Sequence, residues 1–256
     1  MYIEVKNVSR EYTQKGTTFK ALDKVNLNIA RGEFICLLGP SGCGKTTLLN
    51  SLAGFEQVTE GSIKIDGAEV KEPSIKNVTI FQNYGLLPWR TVQKNVELGL
   101  ESKGMAKQEI QDIADKYIDI VGLTAFKKHH PYQLSGGMQQ RVAIARALAV
   151  DPDIIFMDEP FGALDALTRM KMQDEISAIC KNQQKTIIFV THDIDESVFL
   201  ADRIVIMTPN PGKIKTIVKV DLCGTRDRTS TDFLKVRDWV FAEFEMKEKD
   251  QIDYFI

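Results

Sequence analysis

Three short stretches of this chain carry residue types that could handle phosphate. The first, Gly39-Pro40-Ser41-Gly42-Cys43-Gly44-Lys45-Thr46-Thr47, fits the pattern G-x-x-x-x-G-K-[ST]. Its glycines let successive backbone N–H groups turn inward around phosphate oxygens, and the helix that follows adds the partial positive charge of its N-terminus. Lys45 is placed to reach the β- and γ-phosphates of a nucleotide, and the Thr46 hydroxyl to ligate Mg²⁺. Cys43 lies inside the loop, where a helix N-terminus lowers a thiol pKa. The competing and favoured reading is a small side chain that simply fits.

The second stretch is Asp158-Glu159, at the end of the apolar run Ile154-Ile155-Phe156-Met157. Neighbouring residues at a strand end point in different directions. One carboxylate can therefore hold Mg²⁺, Asp158 through a coordinated water, while Glu159 faces an attacking water as its polarising base. A bare acidic pair is more often solvated surface. Here the apolar run carries it to the carboxyl end of a buried strand, where open α/β sheets bind ligands. The third stretch is Leu134-Ser135-Gly136-Gly137-Met138-Gln139-Gln140-Arg141, 23 residues before Asp158. A Ser hydroxyl and two glycines at a helix start make a second anion site.

These groups need a framework, and the chain supplies α/β patterning. Phe34–Leu38, Ile154–Met157, Thr186–Val190 and Ile204–Met207 are apolar on both faces, as buried parallel strands are. Helical patterns separate them, most clearly Met138–Ala149 and Leu167–Cys180. Before them, Tyr2, Ile3, Val5 and Val8 have strand spacing, a loop is expected at Gly16–Thr18, and Val25–Ile29 alternates like a half-exposed antiparallel strand. Between Thr91 and Pro131 the long apolar strands vanish, and Gln108–Val121 has helical spacing. A mostly helical subdomain inserted in the core is expected there. From Thr225 the chain turns polar, with Phe233, Val236, Val240 and Phe244 spaced as an amphipathic helix.

Composition narrows the class. The 256 residues are 43% hydrophobic and 27% charged, ordinary for a soluble globular protein. No apolar run approaches the length of about 18 residues that a membrane span requires, and Met1–Lys6 lacks a secretory pattern. The net charge of −2 gives no general attraction to nucleic acid. Cys36, Cys43, Cys180 and Cys223 have neither metal-ligand nor disulfide spacing, so reduced thiols in a cytosolic compartment are expected.

The phosphate loop and Leu134–Arg141 together resemble the ATP-binding-cassette (ABC) ATPases over residues 1 to about 220. The resemblance implies an α/β, RecA-like P-loop NTPase core with an antiparallel β subdomain and an inserted helical subdomain at about 91–150. The ATPase domain would span 1–224 and a helical tail 225–256. It implies ATP and Mg²⁺ as ligands, with Gly39, Pro40, Ser41, Gly42, Cys43, Gly44, Lys45, Thr46 and Thr47 around the phosphates. Tyr12 resembles the aromatic that stacks on adenine, against the alternative of an exposed strand aromatic. Gln82, after the strand expected at Val78–Phe81, resembles the glutamine that senses Mg²⁺ or water. His192 resembles the switch histidine at the γ-phosphate. In the family two subunits pack head to tail, so Ser135, Gly136, Gly137 and Asp165 of one subunit would meet the ATP of the other. Metal contacts would come from Thr46, Gln82 and Asp158, and catalysis from Glu159, His192, Lys45 and Gln82. His129 and His130 match no motif and are expected at the surface near helix ends.

A stand-alone subunit without membrane helices resembles prokaryotic importers of the family, and the 64 residues after His192 are too few for the extra regulatory domain of sugar importers. Leu86–Val92 and Pro209–Ile214 resemble the nitrate, sulfonate and taurine importer group. Arg226-Asp227-Arg228 is close to that group's C-terminal motif, with Thr225 where its proline is expected. The implied partners are a second ATPase subunit in a homodimer, integral permease subunits and, indirectly, an external solute-binding protein, with no nucleic acid. The implied location is peripheral, on the cytoplasmic side of the membrane. Trp89 would lie in a docking surface across Tyr84–Leu100, or else pack locally under the helical subdomain. Two rivals are weaker. A soluble ABC ATPase acting on DNA or ribosomes would carry coiled-coil insertions or a second cassette. A P-loop kinase or GTPase would have no use for Leu134–Arg141.

Overall fold

The structure, a computed structural model, describes residues 1–14, 16–74, 76–222 and 226–245. Cys223, Thr225, the tail end 246–256 and the side chain of Cys180 lie outside the described residues. In chain order the elements are β1 (Ile3–Gln14), β2 (Thr17–Ile29), β3 (Phe34–Leu38), α1 (Lys45–Ala53), β4 (Glu60–Ile65), β5 (Ala68–Glu69) and β6 (Asn77–Ile80). There follow α2 (Val92–Glu101), α3 (Lys107–Ile120), α4 (Gly136–Ala149), β7 (Ile154–Asp158), α5 (Ala166–Gln183) and β8 (Thr186–Thr191). Last among the described residues come α6 (Ile194–Leu200), β9 (Arg203–Thr208), β10 (Lys213–Lys219) and α7 (Thr231–Glu245). Contacts divide it into two units: residues 1–73 with 186–256, and residues 74–185.

In the first unit, β-branched and aliphatic residues at alternate positions build an antiparallel sheet of order β2-β1-β4-β5. Val25, Leu27 and Ile29 point into the core while Asn26 and Asn28 face out, the alternation a half-buried strand requires. The expected loop at Gly16–Thr18 is instead a tight hairpin end. Thr17 pairs with Gln14 and Thr18 with Thr13, so only Gly16, at φ +81°, serves the turn among the described residues.

The same unit holds β10-β9-β3-β8. Every residue of β3 and β8 is buried, and the two run parallel with Phe34 opposite Ile187. β9 is parallel to β3 but antiparallel to β10, so its apolar run serves a mixed pairing. Leu48, Leu49 and Leu52 of α1 are fully buried, each stabilising the unit by about 1.5–3 kcal/mol. α7 buries Phe233 and Val240 and packs against α6. The Arg226 guanidinium donates to the carbonyls of Val198 and Phe199 at the end of α6, fastening the tail there.

In the second unit β6 and β7 pair in parallel, Asn77 opposite Ile154. β6 stops at Ile80, and Phe81, expected as strand, is 39% exposed beyond it. α2, α3 and α4 pack on one another. His129 and His130 lie beside two short 3-10 turns rather than at α-helix ends, half-buried against Phe126 and Tyr132.

Candidate functional site

In the first unit the buried strand β3 runs directly into the phosphate loop. Gly42 and Gly44 adopt φ of +77° and +91°, the left-handed conformations that make the loop curl. Gly39 is tightly enclosed: a Cβ there would lie 2.5 Å from Cys43 Sγ and 2.9 Å from the Met207 carbonyl. Gly44 caps α1, and Lys45 is its first residue. The Lys45 ammonium is buried and donates to the carbonyls of Gly39 (2.7 Å) and Pro40 (3.0 Å), so its charge already lies inside the loop. Ser41 and Thr46 are exposed at the rim, and Thr47 is half-buried.

Also in the first unit, His192 is exposed just beyond β8. Its neighbours are rigidly tied. Thr191 donates to Glu196 (2.7 Å) and accepts from the backbone of Asp193, whose carboxylate caps α6 at Glu196. Tyr12, on β1 opposite Phe19, donates its hydroxyl to Glu56, and the Arg10 guanidinium lies 4.6 Å over its ring.

The second unit collects the other predicted residues. Asp158 ends β7, fully within the buried stretch. Glu159 follows at φ +46°, a left-handed conformation that costs a non-glycine residue of order 1–3 kcal/mol and marks a constrained position. Gln140 of α4 sustains it, donating to the Glu159 carbonyl (3.4 Å) and accepting from Ala163 N–H (3.3 Å). Ser135 caps α4 by accepting from Met138 N–H, which leaves its own O–H as a donor. Ser135, Gly136, Gly137 and Asp165 line one cavity of about 280 Å³. Asp165 caps α5 at Thr168, whose backbone N–H holds its carboxyl below the usual range. Gln82 is exposed after β6.

A family model for ABC transporters matches residues 22–162. The chain belongs to the ABC transporter family. It is 54% identical over 235 residues to an uncharacterized ABC transporter ATP-binding protein of Methanocaldococcus jannaschii, covering 92% of this chain and 88% of that protein. It is 42% identical over 245 residues to the aliphatic sulfonates import ATP-binding protein SsuB of Bacillus cereus, covering 96% of each. Among solved structures it resembles the dimeric ATP-binding cassette MJ0796 in a post-hydrolysis state bound to ADP and Pi. That match has a TM-score of 0.80 and 36% identity over 86% of this chain and 99% of that one. The protein is therefore an ABC ATPase that binds ATP, on the P-loop fold.

At Cys43 the structure favours packing over an activated thiol. Its thiol is fully buried, and burial pushes its pKa up although Lys45 opposes the rise. Loss of solvation outweighs the helix terminus here, which favours the packing role. Other contributors were not legible. Gln140 braces Glu159, and Asn95, wholly buried, accepts from Leu87 N–H and donates to the carbonyls of Leu87, Arg90 and Thr91. Asn95 thereby fixes the loop that presents Trp89, which is 72% exposed and so does not pack under the helices. No helix among the described residues is long and apolar enough to cross a membrane.

Proposed function

We propose that this chain is the ATP-hydrolysing subunit of an importer for a small solute of the sulfonate, taurine or nitrate kind. It would act peripherally on the cytoplasmic face of the membrane, as a homodimer against permease subunits served by an external solute-binding protein. The observation that carries the reading is the shared cavity of Ser135, Gly136, Gly137 and Asp165. It is a second phosphate-type site in a chain that already has one, which makes sense when two copies pack head to tail. The similarity to SsuB supports the solute class.

In this reading Tyr12 stacks on adenine, while backbone N–H groups of Gly42–Thr47 and the α1 N-terminus receive the phosphates. Lys45 exchanges its loop carbonyls for β- and γ-phosphate oxygens. Thr46, Asp158 and Gln82 offer hard oxygen donors of the sort Mg²⁺ takes, Asp158 through water. When bound, that ion neutralises charge on the β- and γ-oxygens. Ser135 of the second subunit donates its O–H to the γ-phosphate, and the two glycines behind it leave room for backbone N–H contacts. Glu159 accepts the proton of the attacking water, and His192 contacts the γ-phosphate to orient it. Closure of the dimer on ATP drives the permease, and hydrolysis releases it. The Trp89 loop and a cavity of about 540 Å³ lined by Gln93, Glu97, Met105 and Ile110 offer the docking surface.

Uptake tests the reading. A strain lacking this gene is assayed with labelled taurine, alkylsulfonates and nitrate, and complemented with the parent or Glu159→Gln. The expected result is loss of one activity, restored by the parent alone; unchanged uptake across the panel removes the assigned solute class.

A further inference from the structure

Glu56 makes more contacts around the base end of the site than a loop carboxylate needs. It sits two residues past Gly54, the left-handed cap of α1, where a Cβ would strike the Glu72 carbonyl at 2.5 Å. This closed turn directs the backbone N–H of both Phe55 (2.9 Å) and Glu56 (3.3 Å) onto the Asn50 carbonyl. The side chain of Asn50 then donates to Glu56 Oε1 (3.2 Å). The other carboxylate oxygen accepts the Tyr12 hydroxyl and lies 3.6 Å from Arg10 Nε. Both ends of the carboxylate are thus committed, one to α1 and one to β1. The strand is held to the same loop a second time: Thr59 N–H donates to the Ser9 carbonyl (2.8 Å), and Glu11 N–H donates to the Thr59 hydroxyl (3.0 Å).

Arg10 completes the arrangement. Its guanidinium stacks 4.6 Å over the Tyr12 ring, covering one face, and its Nε is buried with no hydrogen bond. The Glu56 carboxylate therefore balances the Arg10 charge by proximity alone, while fixing the tyrosine by a charge-assisted hydrogen bond. A tyrosine clamped at its hydroxyl and on one face has a single face left for a flat ligand. Asn50 lies on the helix that begins at Lys45, so the clamp ties that ring to the helix beneath the phosphate loop.

We infer that Glu56 is a positioning residue for ATP, locking Tyr12 and Arg10 to α1 so that the base platform is built before the nucleotide arrives. The inference rests on the reading of Tyr12 as the adenine-stacking residue. Preorganisation of this kind lowers the cost of ordering a side chain on binding. Its loss should weaken binding of the base without touching binding of the phosphates.

The test compares two ligands on the full chain, ATP and inorganic tripolyphosphate, each with Mg²⁺, by titration calorimetry, together with steady-state ATPase kinetics. Glu56→Ala should raise the Kd and KM for ATP by about three- to tenfold, keep kcat within about twofold, and leave the tripolyphosphate Kd unchanged. Tyr12→Phe should weaken ATP similarly, and the double variant should be no worse than either single one, since both break the same bond. Glu56→Gln, which can still accept from the hydroxyl, should recover most of the affinity. An equal loss for ATP and tripolyphosphate would assign Glu56 to the phosphate loop, and no loss for either would leave it an ordinary surface carboxylate; each overturns the inference. Tyr12→Ala separates the two ideas. If it lowers ATP affinity selectively while Glu56→Ala does not, only the role of Glu56 falls. If Tyr12→Ala leaves the ratio of the two affinities untouched, adenine stacking itself is wrong and the inference goes with it.

Discussion

Arg146, on the helix that begins at the Ser135 cap, donates to the carbonyls of Gly85 (2.7 Å) and Tyr84 (3.0 Å) in the loop after Gln82. Those two residues are consecutive left-handed positions, at φ +53° and +63°. The Tyr84 hydroxyl in turn lies within 3.3 Å of where a Cβ on Gly136 would sit. The loop after Gln82 is therefore bonded to the last turn of α4 through Arg146 and lies against its first turn at Gly136, all within one unit, so a shift of either pulls on the other. Burial alone draws the Arg146 guanidinium below its ordinary range, yet it stays charged, so the two carbonyls matter to it as much as it does to them.

Replacing Arg146 by Ala removes both bonds and strands two carbonyls in a part-buried loop. We expect about 1–3 kcal/mol of lost stability and faster tryptic cleavage at Arg90. Lys, a single point charge, should recover less than half of this because it cannot fork to two acceptors. Urea midpoints and a timed digest read both effects; parental cleavage rates in Arg146→Ala would show that the loop is held by something else.

Glu159→Gln keeps the volume and the left-handed backbone that Gln140 braces but removes the carboxylate proposed as the base. Hydrolysis should fall by about 10²- to 10⁴-fold while ATP binding persists, so ATP-bound dimers accumulate. Light scattering with ATP and Mg²⁺ checks this. A variant that stays monomeric would separate dimer closure from ATP binding.

Gly212 lies against the back of the phosphate loop. A Cβ there would come within 2.4 Å of the Cys43 carbonyl and 2.6 Å of the Ala21 carbonyl, both backbone atoms that cannot swing aside. Gly212 also pairs with β2, donating to the Ala21 carbonyl and accepting from Asp23 N–H. Gly212→Ala must displace either the β9–β10 hairpin or the phosphate loop, costing about 1–3 kcal/mol. ATP affinity should fall along with stability, in contrast to Glu56→Ala. Unchanged calorimetric affinity would mean that the hairpin gives way instead.

Where much of the candidate site would lie in the fold was legible because its signals are local. The phosphate loop is nine consecutive residues after a strand apolar on both faces, and Asp158-Glu159 ends another such strand. Resemblance then supplied Tyr12, Gln82 and His192, which spacing alone would not. The missed contributors act across distance: Arg146 reaches back 61 residues to Gly85, Glu56 reaches 44 to Tyr12, and Gln140 reaches 19 to Glu159. No periodicity encodes such pairs. The Gly16–Thr18 loop failed for the opposite reason, since threonines beside a glycine suit a turn and a strand alike, and cross-strand pairing decided. For Cys43 the sequence left a reactive thiol as the lesser alternative, and only the structure shows what covers the sulfur, Gly39 among its neighbours.

Cys36 and Cys43 are both fully buried, and burial raises both thiol pKa values. A raised folded pKa favours the protonated thiol. The stability it carries is present below the unfolded value of about 8.5 and is lost as pH climbs above it. Urea midpoints should therefore decline from about pH 8.5 upward. At pH 8 both residues should resist iodoacetamide until urea unfolds the chain, as mapped by mass spectrometry. Rapid native labelling of Cys43 would restore the case for a reactive thiol in the phosphate loop.

Trp89 offers the clearest handle on the proposed membrane partner. Its loop is pinned from inside by Asn95, and Arg90 beside it pairs with Glu101 of α2 through both carboxylate oxygens, at 3.0 and 2.9 Å. A rigid loop holding a large aromatic in solvent is what an interface anchor requires, since little side-chain order is lost on docking. Trp89→Ala should therefore cost about 2 kcal/mol or more of docking energy and little folding stability, because the ring is mostly exposed. Detergent-purified complexes of the variant should lose this subunit on gel filtration while its ATP Kd matches the parent. Asn95→Ala should reproduce the loss by letting the loop sag, with a lower urea midpoint as well. Complexes that stay equally intact in both variants would move the docking surface away from this loop, towards the groove lined by Gln93, Met105 and Ile110.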